Sequence, residues 1–259
     1  MKVSFIGSGN VATHLAIALY RCGDIIDQVY SPNPAHAQLL ASRVEAEAVS
    51  NLGLLRRDAD VYILAVPDNA LYDVALDIQM DDALVLHTSG STAMEVLRNS
   101  STRYGVLWSP QSFVRDASLE YDELPFCIEG NTPRVGDAIA AFIGRVSTHI
   151  FRTTQEQRQW LHLSAVFVNN FQNGLTAIAQ RLCREHDLPF EVLHPIMLTT
   201  VKRACYGDVR YQLTGPAVRN DSRTLATHRR MLADSPEVLA LYDQLSEILK
   251  TYKATLPQQ

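Results

Sequence analysis

Three groups of residues in this 259-residue chain carry types and spacings suited to chemistry. The first is Gly7-Ser8-Gly9-Asn10-Val11-Ala12, placed directly after the apolar run Val3–Ile6. In this GxGxxA pattern the first glycine permits a tight turn and the second lets a pyrophosphate approach the backbone. The small third residue lets the following helix pack on the strand, and N–H groups at the helix start face the phosphates. The second group is His162, Asn169 and Asn173, whose spacings place them in a narrow sector of one helix face, with Asn170 turned to its side. Leu161, Val166, Phe167, Phe171 and Leu175 surround them, so these polar groups are expected to be partly buried, and a buried amide or imidazole needs a partner from the protein or a ligand. The third is Leu213-Thr214-Gly215-Pro216-Ala217-Val218-Arg219-Asn220-Asp221, followed by Thr224 and His228. Asp221 can cap a helix there. Arg219 can grip a carboxylate or phosphate bidentately, or pair with Asp221 to hold the turn.

The elements that must position these groups are legible in the hydrophobic pattern. Strand-like runs occur at Val3–Ile6, Ile25–Tyr30, Val61–Val66, Leu84–His87, Gly105–Trp108, Pro125–Ile128 and finally Thr148–Arg152. Helical stretches such as Val11–Arg21 lie between several of them, the alternation of a parallel sheet covered on both faces. From Gln155 onward only helix-length segments remain, about 155–184, 189–206, 222–233 and 236–253. The expected fold is α/β: a Rossmann-type, mostly parallel sheet over residues 1–152, then an all-helical carboxyl-terminal domain over residues 153–259.

Ligands of such sheets bind beyond the carboxyl ends of the strands. Three further loops fall there: Ala65-Val66-Pro67-Asp68-Asn69, His87-Thr88-Ser89-Gly90-Ser91 and Trp108-Ser109-Pro110-Gln111-Ser112-Phe113. The second strand ends Tyr30-Ser31-Pro32-Asn33-Pro34, without the acid that usually holds the ribose hydroxyls of NAD, and Asp27 stands too early. Ser31 and Asn33 can donate hydrogen bonds, and Asn33 can cap a helix beginning at Pro34, whose free N–H groups favour a phosphate. NADP is therefore the favoured cofactor, with NAD as the alternative. The expected cofactor-binding residues are Gly7, Ser8, Gly9, Asn10, Val11, Ser31, Asn33, Ala65, Val66, Pro67, Thr88, Ser89 and Gly90.

Composition narrows the class. Hydrophobic residues make up 47% and charged residues 20%, an ordinary globular balance. The net charge is −5 and no basic block is present, which argues against nucleic acid. No apolar run reaches the roughly 18–20 residues of a membrane span, and the chain opens directly into a strand, so a cytoplasmic location is expected. Cys22, Cys127, Cys183 and Cys205 lie far apart, as buried thiols of a reducing compartment do. The eight histidines show no metal-ligand spacing, so no metal is expected.

The first half of the chain resembles the nucleotide-binding domains of the pyrroline-5-carboxylate reductase and 6-phosphogluconate dehydrogenase superfamily. The whole chain resembles a bacterial family of NADP oxidoreductases in which such a domain precedes a helical domain of unknown function. The resemblance is carried by Gly7–Ala12, His87-Thr88-Ser89-Gly90, Gln111-Ser112-Phe113, His162 with Asn170, and Leu213–Pro216 through Arg219 and Asp221 to His228. Two positions depart from it: Trp108-Ser109-Pro110 stands where relatives often read His-Pro, and Pro32 where they often place Arg. The resemblance implies the fold and the reaction class, not a metabolite.

These readings converge on an NAD(P)-dependent oxidoreductase that moves a hydride to or from a small carbonyl or imine, the alternative being a dinucleotide-binding sensor without turnover. His162 is the expected general acid/base, because imidazole is the side chain whose ordinary pKa lies nearest working pH. Asn170 and Asn173 are expected to orient substrate and Arg219 to hold an acidic group. Superfamily hydroxyacid dehydrogenases place a catalytic Lys in the equivalent helix. This chain has only Lys2, Lys202, Lys250 and Lys253, none of them there. The 155–184 helix is apolar around much of its circumference, which predicts a homodimer.

Overall fold

The computed structural model describes residues 1–255, in two compact units, Met1–Phe171 and the remainder from Gln172. The first unit is built on a sheet of eight strands: β1 (Lys2–Ile6), β2 (Ile25–Tyr30), β3 (Glu47–Val49), β4 (Val61–Leu64), β5 (Leu84–His87), β6 (Arg103–Trp108), β7 (Phe126–Gly130) and β8 (Ile150–Arg152). Their spatial order is β3-β2-β1-β4-β5-β6-β7-β8. β1 to β6 run parallel, β7 is antiparallel to β6, and β8 is parallel to β7. Side chains along each strand alternate between two cores. Val3, Phe5, Ile63, Leu86 and Leu107 face one of them, while Ile6, Tyr62, Leu64 and Val85 face the other.

The helices of this unit are α1 (Asn10–Arg21), α2 (Pro34–Ala41), α3 (Asp68–Leu76), α4 (Pro133–Ile143) and α5 (Gln155–Ala165). The α/β class and the mostly parallel sheet agree with the sequence pattern. Two features escaped it. β3 is only three residues long and lies at the sheet edge, too short for periodicity to register. β7 reverses direction because the β6–β7 connection holds only a short 3₁₀ turn, Tyr121–Glu123, and no crossover helix.

Beyond β8 the first unit continues through α5 and a π-helical turn, Val166–Phe171. A capping box fixes the start of α5: the Thr154 side chain accepts from Gln157 N–H while the Gln157 side chain accepts from Thr154 N–H.

The second unit contains α6 (Gln172–Glu185), α7 (His194–Ala204), α8 (Ser222–Met231) and α9 (Pro236–Ala254). Asp221 caps α8 by accepting from Thr224 N–H at 3.0 Å and from its hydroxyl at 2.7 Å. His228 and Tyr242 join α8 to α9 at 2.9 Å. Its interior is small, with Ala217, Leu225, Leu232 and Val238 as its buried apolar residues among those described. Neither α6 nor α7 buries a residue.

Candidate active site

The glycine loop spans the carboxyl end of β1 and the start of α1. Gly7 has φ +120°, and a Cβ there would lie 2.2 Å from the Ala65 carbonyl oxygen, so only glycine fits this turn. Gly9 is exposed, and a Cβ built on it would meet nothing within 4 Å, leaving its backbone open to an approaching group. No side chain caps α1, and its first turn contains no acid. Uncapped N–H donors beside a bare glycine fit the pyrophosphate of a dinucleotide.

The other expected cofactor residues flank this loop, because β2, β1, β4 and β5 are neighbours and all end on the same edge. Asn33 Oδ1 accepts from the N–H groups of Ala35 and His36, so Asn33 caps α2 as the sequence suggested. Ser31 Oγ accepts from Asn33 N–H at 3.3 Å and retains its own hydroxyl proton to donate. The cap takes up the Ala35 and His36 N–H groups, so the donors this corner offers a cofactor are the Asn33 amide and the Ser31 hydroxyl. Asp27 is occupied elsewhere, by Lys2 and Arg56. The stretch Ala65-Val66-Pro67 packs against Gly7 and leads into α3, which begins after Pro67.

The loop after β5 is internally braced. His87 Nδ1 accepts from Ser89 N–H at 3.2 Å, and Ser89 Oγ accepts from Ser91 and Thr92 N–H while donating to Thr92 Oγ1 at 2.9 Å. Ser91 Oγ donates to Asp68 at 2.6 Å, tying the loop to α3. His87 is wholly buried, and burial together with the Arg158 charge pushes its pKa down to about 4, so the imidazole is neutral.

A cavity of about 250 Å³ lies beside this loop, lined by Trp108, Ser109, Gln111, Ser112, His162, Asn169 and Asn170 among others. His162 meets Trp108 with ring centroids 5.9 Å apart; it and Asn170 are exposed and Asn169 is half-buried, so the expected burial holds only for Asn169. A Cβ on Gly90 would sit 2.7 Å from Trp108 Cε2 and 2.8 Å from His162 Cδ2, so the glycine is what lets the three residues meet. The residue read as the general acid/base is thus in contact with the loop read as binding cofactor. On a regular helix Asn170 would stand to the side of the His162 sector, still within the same broad face. The π-turn, whose hydrogen bonds skip one residue more, brings Asn169 and Asn170 together into the cavity wall.

Asn173 and Arg219 belong to the second unit. Both are exposed, and Arg219 forms no ion pair among the described residues. Its N–H donates to Gly215 O at 3.2 Å, within the Leu213–Asp221 turn.

One residue of the site lay outside the sequence reading, and one loop that the reading did place at the cleft makes contacts it did not show. Arg158, one turn before His162, is fully buried and bridges Glu129 and the Thr92 carbonyl. Its only sequence signal was position, four residues from His162 on one helix face. The loop after β6 also folds over the glycine loop, where Asn10 Nδ2 donates to Phe113 O at 2.9 Å and Arg115 to Ser8 O at 3.4 Å. His14 on α1 braces it against Val114 O at 2.8 Å and Tyr121 Oη at 3.1 Å. Among the described residues no cluster of His, Cys, Asp and Glu could hold a metal, and no helix is long and apolar enough to cross a membrane.

Comparison with known proteins agrees with this geometry. Residues 2–89 match the family "NADP oxidoreductase coenzyme F420-dependent", and residues 124–248 match "Domain of unknown function (DUF2520)". A candidate NADP oxidoreductase from Bacteroides fragilis is 35% identical, with 96% of this chain and 98% of that one aligned and a TM-score of 0.90. The fold extends to 1-pyrroline-5-carboxylate reductase from Streptococcus pyogenes, at 10% identity, 97% and 98% coverage and a TM-score of 0.64. It extends also to the reductive aminase from Aspergillus terreus in complex with NADPH, at 13% identity, 95% and 92% coverage and a TM-score of 0.74. None of the functionally curated proteins matches the chain. With a glycine loop built for a pyrophosphate and a relative this similar over almost its entire length, the chain belongs to the family of NADP oxidoreductases that join this nucleotide-binding domain to the helical domain of unknown function.

Proposed function

We propose that this enzyme moves a hydride between NADP and a small carbonyl or imine metabolite, with His162 as proton donor and acceptor. The observation that carries the reading is the meeting of His162, Trp108 and Gly90, which sets an imidazole beside the loop at the carboxyl end of β5. The bound nicotinamide supplies or takes the hydride. In the reductive direction His162 gives its proton to the substrate oxygen or nitrogen as the neighbouring carbon gains hydride; in the oxidative direction it takes that proton back. Asn170 orients the polar end of the substrate within the cavity, and Trp108 closes one wall against water. Asn173 serves as a second orienting amide, and Arg219 as the group that binds an acid on the substrate. Relatives in fold that reduce imines, among them the reductive aminase and imine reductases from Myxococcus stipitatus, favour the carbonyl or imine class.

A homodimer in the cytoplasm completes the proposal. Trp160, Leu161, Phe167, Leu175, Ile196 and Val201 are all exposed in the single chain, more apolar surface than a monomer ordinarily presents. All four cysteines are free thiols, which supports a reducing compartment, but of the burial expected for them only Cys127 shows it, Cys22 and Cys205 being exposed.

Fluorescence titration with NADPH and NADH tests the cofactor reading, with NADPH expected to bind the tighter. Absence of binding by either below roughly 1 mM would refute it. Screening carbonyls and imines with the loaded protein tests turnover; tight binding with no oxidation of NADPH would leave a sensor. His162→Ala is expected to keep cofactor affinity and lose roughly 100-fold or more in kcat.

A further inference from the structure

Arg158 and Glu129 form a buried ion pair that does not line the cavity. The Arg158 side chain has no solvent exposure and that of Glu129 is 17% exposed. One guanidinium nitrogen donates to Glu129 Oε2, and the other donates to the Thr92 carbonyl at 2.7 Å. Glu129 Oε1 accepts from Gln155 N–H at 3.2 Å, at the first residue of α5. Gln159 Nε2 donates to Ser91 O at 3.1 Å. Every bond in this set ties α5 either to the end of β7 or to the residues just after Gly90. His162 lies one turn beyond Arg158 on the same face.

Stability alone does not account for such a pair. Desolvating two charges offsets most of their attraction, and Arg158 Nε is buried with no partner, a further cost. An apolar pair of similar volume would hold α5 to the sheet as well. What an apolar pair lacks is direction, because a planar guanidinium fork fixes both angle and distance to two acceptors. We infer that Arg158 is a positioning residue: its fork to Glu129 and Thr92 sets the register of α5, so that His162 rests against Trp108 over Gly90. The inference builds on the reading of His162 as proton donor. It adds that the cofactor loop and the helix bearing the donor move as one body.

Isotope-labelled histidine lets NMR read the position of His162 directly. In the native protein its ring lies beside the Trp108 indole and carries a ring-current shift that Trp108→Leu removes. The paired substitution of Arg158→Met with Glu129→Leu is expected to fold and to bind NADPH within about threefold of the parent. It should lose the ring-current shift and lower kcat roughly tenfold or more with little change in KM, the pattern of a misplaced catalytic group. Arg158→Lys keeps the charge but not the fork. It should shift the resonance part of the way, and it carries the test if the apolar pair does not fold. A His162 resonance unmoved in either folded variant overturns the inference. Full turnover by His162→Ala would instead remove the role of His162 and leave the positional result standing, so the two failures are distinguishable.

Discussion

At the scale of single residues the site depends on two glycines for opposite reasons. Gly7 is needed because its backbone is left-handed and pressed on Ala65. Gly90 is needed because two rings close over it. Gly90→Ala drives a methyl group into Trp108 and His162, which must separate by a few tenths of an ångström or more. We expect it to cost about 1–3 kcal/mol of stability, to lower kcat roughly tenfold and, because Gly90 belongs to the loop expected to hold the cofactor, to weaken NADPH binding as well. Thermal unfolding and steady-state kinetics would check this. An unaltered kcat would mean that the contact between the two rings is not part of the chemistry. Gly90 was legible as a small residue suited to close ligand approach, but the rings it admits were not, since Trp108 and His162 are distant in sequence.

At the scale of elements, the loop after β5 and the π-turn after α5 decide how the site is shaped. The loop relies on a neutral His87, whose Nδ1 must remain an acceptor for Ser89 N–H. Its folded pKa of about 4 lies below the ordinary 6.5, so the unfolded chain binds the proton more readily. The corresponding stability is fully present above about pH 6.5 and is lost as pH falls toward 4, amounting to roughly 3 kcal/mol. Urea unfolding at pH 7.5 and pH 4.5 should show that loss, and His87→Asn, which keeps an acceptor at the Nδ1 position without the titration, should flatten it. Equal slopes in the two proteins would show that His87 does not govern the acid side. All but one strand, α1 and the helical segments after Gln155 were visible in the pattern of apolar residues, whereas α4 was not singled out. The π-turn was not visible either, because a 3.6-residue period assumes regular winding, whereas Asn169 and Asn170 line the cavity from within the π-turn. Arg158 was equally hidden, since a buried cation is identified by its acceptors, and these come from β7 and the β5 loop.

At the scale of the whole molecule, the contrast in burial is the informative feature. The sheet unit has two full cores, whereas α6 and α7 bury nothing among the described residues. Helices that expose apolar side chains such as Leu175, Ile196 and Val201 and bury none are ordinarily covered by a second chain. Light scattering should give about twice the 28.9 kDa chain mass. Ile196→Asp with Val201→Asp, placed on exposed α7, should shift the protein toward monomer. A monomer mass for the parent protein would refute the dimer.

By itself the sequence determined the nucleotide-binding class, through the order of β1, the glycine loop and α1, because those contacts are local and each residue has one physical reason to be where it is. It determined too that a helical region follows the sheet and that no lysine stands in the helix bearing His162. Only the tertiary structure decided that His162 meets Trp108 over Gly90, that Asn169 joins Asn170 in the cavity wall, and that Arg158 anchors the helix carrying them. The first and last of these are contacts between residues tens of positions apart, and the pairing of the two asparagines follows from a local π-turn. The long-range contacts depend on strand order and helix register, which no local propensity encodes.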